Sequence, residues 1–401
     1  MSMFTLPSAS ASRSFFRDLS LPAVVAGFVA VLVGYTSSVA IVFAAAQALG
    51  ASAAQTSSWL WALGLGMGIT SIALSLWYRM PVLTAWSTPG AALVAASSGF
   101  SMAEAIGAFV ACGLMIALAG ASGLFARLMD RIPQAIAAAL LAGVLARFGL
   151  DAASAARTAP WLVTGMAVAY LCGRRWWPRY AVPVVLAVGI ALAMLQGRLA
   201  WSEVQGGWAW PVFTSPSFSF AAFIGLALPL FIVTMASQNL PGVAAQRAAG
   251  FKVPVNGPIA STGLATLLLA PFGGYAFNLA AITAAICMGR EASADSARRY
   301  AAAVAAGGFY IVTGLAGAAV VGLLQAFPKE LVLAVAGLAL LGTIANALAV
   351  ALKDEGHRDA VLLTFLVTLS GLTLAGIGSA FWGVLVGALA LLVQQWRLPR
   401  P

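Results

Sequence analysis

The chain has 401 residues, of which 62% are hydrophobic and 8% charged, and its formal net charge is +10. A charged share this far below the roughly 25% of ordinary soluble domains leaves no polar coat for a water-soluble fold, which excludes a soluble enzyme. The 21 Lys and Arg residues are not gathered on any soluble domain, which excludes a nucleic-acid partner as the reason for the charge.

Residues 1–20 carry Arg13, Arg17 and Asp18 without an apolar core, and they read as a cytoplasmic tail rather than a cleaved signal. Apolar runs then follow one another, each of a length suited to cross a hydrocarbon core of about 30 Å as a helix. Spans are predicted near 21–46, 57–77, 82–98, 104–125, 134–149, 160–173, 181–197, 219–240, 255–271, 273–288, 300–325, 330–352, 360–376 and 379–395, about fourteen in all. With the first residue inside and the sides alternating, seventeen of the 21 basic residues fall on the starting side. Four fall on the other, namely Arg147, Arg157, Arg198 and Lys329. That asymmetry obeys the positive-inside rule and predicts a multi-pass protein of a bacterial inner membrane with both termini cytoplasmic.

The longest polar interval, 196–219, divides the chain into two sets of seven spans, 21–200 and 219–396. Seven is odd, so the second set enters the membrane from the opposite side and any internal repeat is an inverted one. SSVAIVFAAAQALG from Ser37 aligns with SQNLPGVAAQRAAG from Ser237, and TAWSTPGAALVAA (84–96) with GGYAFNLAAITAA (273–285). The second alignment sets the third span against the tenth. These two are also interrupted spans: VLTAWSTPG and PFGGYAFN each read as an extended strand running into a half-helix, with Ser87 or Thr88 as N-cap and Pro89 in the first turn. Irregular backbone at membrane depth is tolerated around a cavity, and paired interruptions mark transporter binding sites.

LPAVVAGFVAVLVGYTSS, SSWLWA, YRMPVLTAWSTPGAAL, LAPFGGYAFNLAAITAAIC and FLVTLSGLTLAGIGSAFWG together resemble the benzoate/proton symporter (BenE) family of bacteria over nearly the whole chain. The layout is more distantly similar to the nucleobase/ascorbate and sulfate-type anion transporters. The resemblance implies an all-α polytopic membrane protein, a 7+7 inverted repeat with spans 1–4 and 8–11 as core and 5–7 and 12–14 as gate. It also implies uptake of benzoate with a proton. In nucleobase carriers, glutamates of the eighth and tenth spans grip the base; here VTMASQN and YAFNLA put Ser237 and Phe277 at those places, which counts against a nucleobase.

A benzoate-like carboxylate needs positive potential, and the spans hold no Lys or Arg apart from Arg147 near the end of the fifth. Helix N-termini supply such potential. The carboxylate is expected between residues 88–91, which include Gly90, and residues 277–279. Tyr35, Trp86, Tyr275 and Phe277 are candidates for the ring wall; Ser37, Ser87, Thr88, Ser237, Gln238, Asn239 and Asn278 are candidates for neutral hydrogen bonds. For a single aromatic, plain helix packing is the competing role. All eleven Asp and Glu residues fall in tails, loops or span ends, and His357 lies in the charged loop KDEGHRD. The proton therefore travels on the substrate or through a group not singled out, with Asp130 and Glu104 as candidates. Cys112, Cys172 and Cys287 lack metal-like spacing and read as packing residues, so no metal or cofactor is expected. HExxH and GxSxG motifs are absent, which argues against a membrane-embedded enzyme. An uncoupled or exchanging anion or nucleobase carrier or channel on the same scaffold is the alternative function. The small-residue run from Gly64 to Gly68 suits close helix packing within a protomer or in a homodimer.

Overall fold

The computed structural model describes residues 15–97, 99–129, 133–200, 207–252, 254–353, 355–372, 374 and 379–395. The chain is mostly helical. In order it forms α1 (Leu21–Ala48), α2 (Ala53–Tyr78), strand β1 (Thr84–Ala85), α3 (Thr88–Ala96) and α4 (Met102–Ser122). Next come α5 (Gln134–Ala155), α6 (Pro160–Trp176), α7 (Ala181–Leu195), α8 (Phe220–Ala248) and α9 (Asn256–Leu269). Strand β2 (Asn278–Leu279) precedes α10 (Ile282–Met288), α11 (Tyr300–Ala326), α12 (Lys329–Ala351), α13 (Arg358–Leu369) and α14 (Ser379–Gln395). Six helices among the described residues are long and apolar enough to cross a bilayer. Leucines such as Leu114 and Leu118 of α4, Leu264 and Leu268 of α9 and Leu389 and Leu392 of α14 face outward, as lipid-facing side chains do.

The helices pack in two groups. In one, α1, α2 and α11 lie together, α3 lies on α1, and α4 lies on α9; in the other, α5 packs on α12 and α13, α6 on α7, and α13 on α14. Lipid gives helices no hydrophobic reason to associate, so close approach through small residues takes that role. Gly64 and Gly68 of α2 meet Gly314 and Gly307 of α11, and an added Cβ at Gly68 would stand 2.6 Å from the Gly307 carbonyl oxygen. The small-residue run thus packs inside the protomer.

Several boundaries differ from the sequence expectation. The eighth predicted span, 219–240, continues to Ala248 through π-turns at Phe223–Ala227 and Met235–Asn239. The thirteenth, expected to 376, has its helix end at Leu369, two residues before Gly371 with its left-handed φ of 69°. Asp18, expected in a solvated tail, is buried and accepts a hydrogen bond from Tyr300 Oη at 2.8 Å.

β1 and β2 pair antiparallel, Thr84 opposite Leu279 and Ala85 opposite Asn278, and each strand leads within a few residues into a short helix, α3 or α10. Strand and half-helix therefore correspond as 84–88 with 278–282, not as 84–88 with 273–277. The sequence alignment sets the segments five residues apart from this match of element boundaries, because Pro-Phe-Gly-Gly forms a separate turn ahead of β2.

Extended backbone inside the bundle needs partners that no ladder of two residues supplies. In the first half, hydroxyls of α2 provide them. Ser75 Oγ donates to Val82 O at 3.0 Å and accepts from Val82 N at 3.1 Å, and Ser71 Oγ accepts from Thr84 N at 3.0 Å. Ser71 and Ser75 stand four apart on one helix face, which matches their reach to alternate strand residues. In the second half, Phe277 N donates to Thr266 Oγ1 at 3.0 Å, Leu279 N to Asn239 Oδ1 at 2.9 Å and Ala280 N to Leu83 O at 2.9 Å.

Candidate functional site

A cavity of about 560 Å³ opens where the two broken segments meet. Ala85, Trp86, Thr88 and Pro89 line it from the first segment and Ala280, Ala281, Ile282 and Thr283 from the second. Gly34 and Ser38 of α1, Met67 of α2, Gln238 of α8 and Tyr310 of α11 complete one side, and Arg147 and Phe148 of α5 close the other. The volume suits a small organic molecule, and the wall is mainly apolar with a few polar groups.

Trp86 is held in place rather than merely packed. Its indole Nε1 donates to Ser38 Oγ at 3.1 Å, and Ser38 Oγ donates in turn to Gly34 O at 2.7 Å. Tyr35 meets the indole edge-on, with centroids 4.9 Å apart at 79°, and lies against Tyr310 at 6.1 Å. Trp86 and Tyr310 reach the cavity while Tyr35 stands behind them, 1% exposed.

The start of α3 is capped from within. Ser87 Oγ accepts from Gly90 N at 3.1 Å and from Thr234 Oγ1 at 3.0 Å, while Ala91 N donates to Ser87 O at 2.8 Å. Pro89 has no N–H. The Thr88 amide is thus the one first-turn N–H of α3 without a protein acceptor among the described residues. α10 has Ala281 at its N-cap and no side-chain cap, so the amides of Ile282, Thr283 and Ala284 keep no such partner. The second helix start lies at 282, not at the expected 277–279, which are turn and strand.

Of the expected site residues, Trp86, Thr88 and Gln238 line the cavity together. Ser87 and Gly90 sit one layer behind as the cap of α3, and Asn239 braces β2. Asn278 is fully buried in the strand with its Nδ2 on Ala276 O at 3.0 Å. Tyr275 packs between Trp59 and Phe109, with centroids 5.7 and 5.5 Å away, and the Phe277 ring fills the space beside Gly66. Both rings are core residues away from the cavity wall. Ser237 is half-buried on α8 and off the wall, and the Ser37 side chain lies outside the described residues. Sequence reasoning missed Gly34, Phe148, Tyr310 and above all Arg147. The signal for Arg147 was present in ALLAGVLARFGL, where one cation interrupts an apolar run; it lies within α5, not at its end.

A second cavity, of about 490 Å³, lies between α5, α6 and α12 and the segment after α10. Arg174 donates to Glu291 Oε1 there at 2.9 Å, and Glu291 is 6% exposed although the sequence placed it in a loop. Glu104, an expected proton candidate, serves as a cap: its Oε2 accepts from Ser101 N and Oγ at 3.0 and 2.9 Å, and its Oε1 from Ser219 Oγ at 3.1 Å. Asp130 lies outside the described residues.

Comparison with known proteins supplies the context for this geometry. The sequence model of the family described as "Benzoate membrane transport protein" (BenE) matches residues 17–393. The "Inner membrane protein YdcO" of Escherichia coli (strain K12) is 49% identical over 93% of this chain and 95% of its own. The "Benzoate membrane transport protein" of Acinetobacter baylyi is 41% identical over 95% of this chain and 97% of its own. Among solved structures, the transmembrane domain of the cyanobacterium bicarbonate transporter BicA is 14% identical with a TM-score of 0.44, covering 94% of this chain and 97% of that one. SLC26A9 is 14% identical with a TM-score of 0.47, covering 96% and 68%.

Proposed function

Since the chain belongs to the benzoate membrane transport protein family, a family of membrane transporters and not of enzymes, we propose that it is a multi-pass inner-membrane carrier that imports benzoate or a related aromatic carboxylate together with a proton. The observation that carries this reading is the cavity at the junction of the broken segments. Trp86, Phe148, Tyr310 and Met67 offer a flat apolar ring the contacts it needs. Gln238 and the amides of Thr88 and Ile282 offer the carboxylate end hydrogen bonds.

The proposal includes about fourteen spans in a 7+7 inverted repeat, 21–200 and 219–396, with both termini cytoplasmic. Its support is the pair of strand-to-helix segments running antiparallel, one in each half, and the asymmetric placement of Lys and Arg. The group holding α1–α4 and α8–α11 acts as core, the group holding α5–α7 and α12–α14 as gate. Alternating access is then motion of one against the other across the cavity, which residues of both groups line. Among the described residues, no carboxylate or histidine lines that cavity. Glu291, buried where the segment after α10 meets Arg174 of α6 and Gly342 of α12, is an acidic side chain set between the groups.

Accumulation of labelled benzoate in proteoliposomes under an imposed inward proton gradient tests the reading, after subtraction of passive benzoic acid flux in protein-free vesicles. Accumulation above equilibrium that collapses with a protonophore is expected. Mere equilibration, or flux that requires an internal counter-anion, would instead identify an uncoupled pathway or an exchanger.

A further inference from the structure

Among the described residues, Arg147 is the one formally charged side chain on the wall of the cavity at the junction of the broken segments. Among the described residues it makes no hydrogen bond or ion pair, and no Asp or Glu shares the cavity wall with it. Its position is built rather than incidental. The guanidinium lies against Gly371, just beyond α13, at a place where any Cβ would collide with Nη1, and Gly371 has the left-handed φ of 69° that favours glycine. An arginine in an apolar helix run is costly to keep at membrane depth and marks a functional pathway.

The start of α3 sharpens the case. Its internal cap leaves the single amide of Thr88 for a ligand, so the helix end alone supplies little of the charge complement that a carboxylate requires. Arg147 faces the cavity from α5, in the helix group opposite to that of α3 and α10.

We propose that Arg147 is the residue that recognises the substrate carboxylate, its planar fork matching the two oxygens, and that it selects a monoanion with a flat apolar body over neutral molecules of the same shape. This rests on the reading of the cavity as the substrate site. Because Arg147 stands on one helix group and Thr88 on the other, a bound carboxylate bridges the two. An occupied site then differs from a free one in how strongly the groups are held together, which is the differential contact a carrier needs to couple binding to movement.

The test is calorimetric binding of benzoate, of neutral benzamide and of sulfate to purified full-length protein, Arg147→Gln, Arg147→Lys and Gly371→Ala, with the melting temperature of each variant as a check on folding. Arg147→Gln is expected to weaken benzoate by about 30-fold, the usual scale for losing a charge-assisted partner, and to leave benzamide unchanged. Arg147→Lys, which keeps the charge without the fork, should fall between, so the proposal stays testable if the glutamine variant does not fold. Gly371→Ala should weaken benzoate as well by displacing the guanidinium. Undiminished benzoate affinity in Arg147→Gln overturns the proposal and leaves the transport reading intact. Sulfate binding without benzoate binding in the parent protein overturns the aromatic substrate, and its loss in Arg147→Gln would still uphold Arg147 as the anion-recognising residue. Binding of none of the three by the parent overturns both.

Discussion

Asn239 Oδ1 accepts the amide of Leu279 at 2.9 Å, while the neighbouring Gln238 side chain faces the cavity. Asn239→Ala would leave that buried amide unpaired, at a cost of about 1–3 kcal/mol, and should lower the melting temperature in detergent. Gln238→Ala should leave melting unchanged and weaken benzoate binding about tenfold, the scale of one hydrogen bond. Equal effects of the two substitutions on both measurements would contradict this division of labour. Both amides read alike in the sequence, as polar groups costly in an apolar span; the π-turn at Met235–Asn239, which residue types do not announce, decides which faces where. Trp86 stands between the two roles. Trp86→Phe should keep most ligand affinity and cost about 1 kcal/mol of stability through the lost bond to Ser38, whereas Trp86→Ala should remove the ring wall and the affinity with it. Arg147 was visible as an oddity in an apolar run, but the distance to residues of three other helices is a property of the packed bundle and not of its local sequence.

At the scale of elements, the first broken segment was more legible than the second. Ser-Thr-Pro-Gly carries its own start signals, and Ser87 caps α3 as that composition implies. The second has Ala281 at the N-cap and no capping side chain, so nothing local marks the start of α10, and the expected start fell on the strand. What locates it is tertiary: the pairing with β1, the Asn239 brace, and Gly242, where a Cβ would stand 2.5 Å from the Leu279 carbonyl oxygen. Gly242→Ala should therefore displace β2 and reduce transport at normal expression in the membrane; unchanged transport would show that β2 tolerates the shift. Ser75→Ala removes the hydroxyl that pairs with both the N–H and the C=O of Val82 and should cost about 1–3 kcal/mol, read as a lower melting temperature, with Ser261→Ala on the partly buried face of α9 as the milder reference.

For the whole molecule, hydropathy delimits most of the described helices to within a few residues, because lipid demands long apolar runs. Packing between the two helix groups was not legible, since helix contacts in lipid depend on shape and small residues rather than on a hydrophobic stripe. Glu291 shows the consequence: a loop residue by sequence, it is buried beside Arg174, with Arg290 and Arg299 on the same cavity. Glu291→Gln is expected to keep benzoate exchange between equal pools and to lose accumulation driven by a proton gradient. Full accumulation in that variant would remove Glu291 from the coupling.

The claim on which the rest depends is that the substrate sits between the two broken segments. A crystal structure of the protein with 4-iodobenzoate, read from the anomalous signal of iodine, locates the ligand directly. The signal should fall in the cavity bounded by Trp86, Thr88, Arg147, Gln238, Ile282 and Tyr310, with the carboxylate toward Arg147 and the iodine among the aromatic side chains. A single strong signal in the cavity of Arg174 and Glu291, or at the lipid-facing surface, would contradict the account.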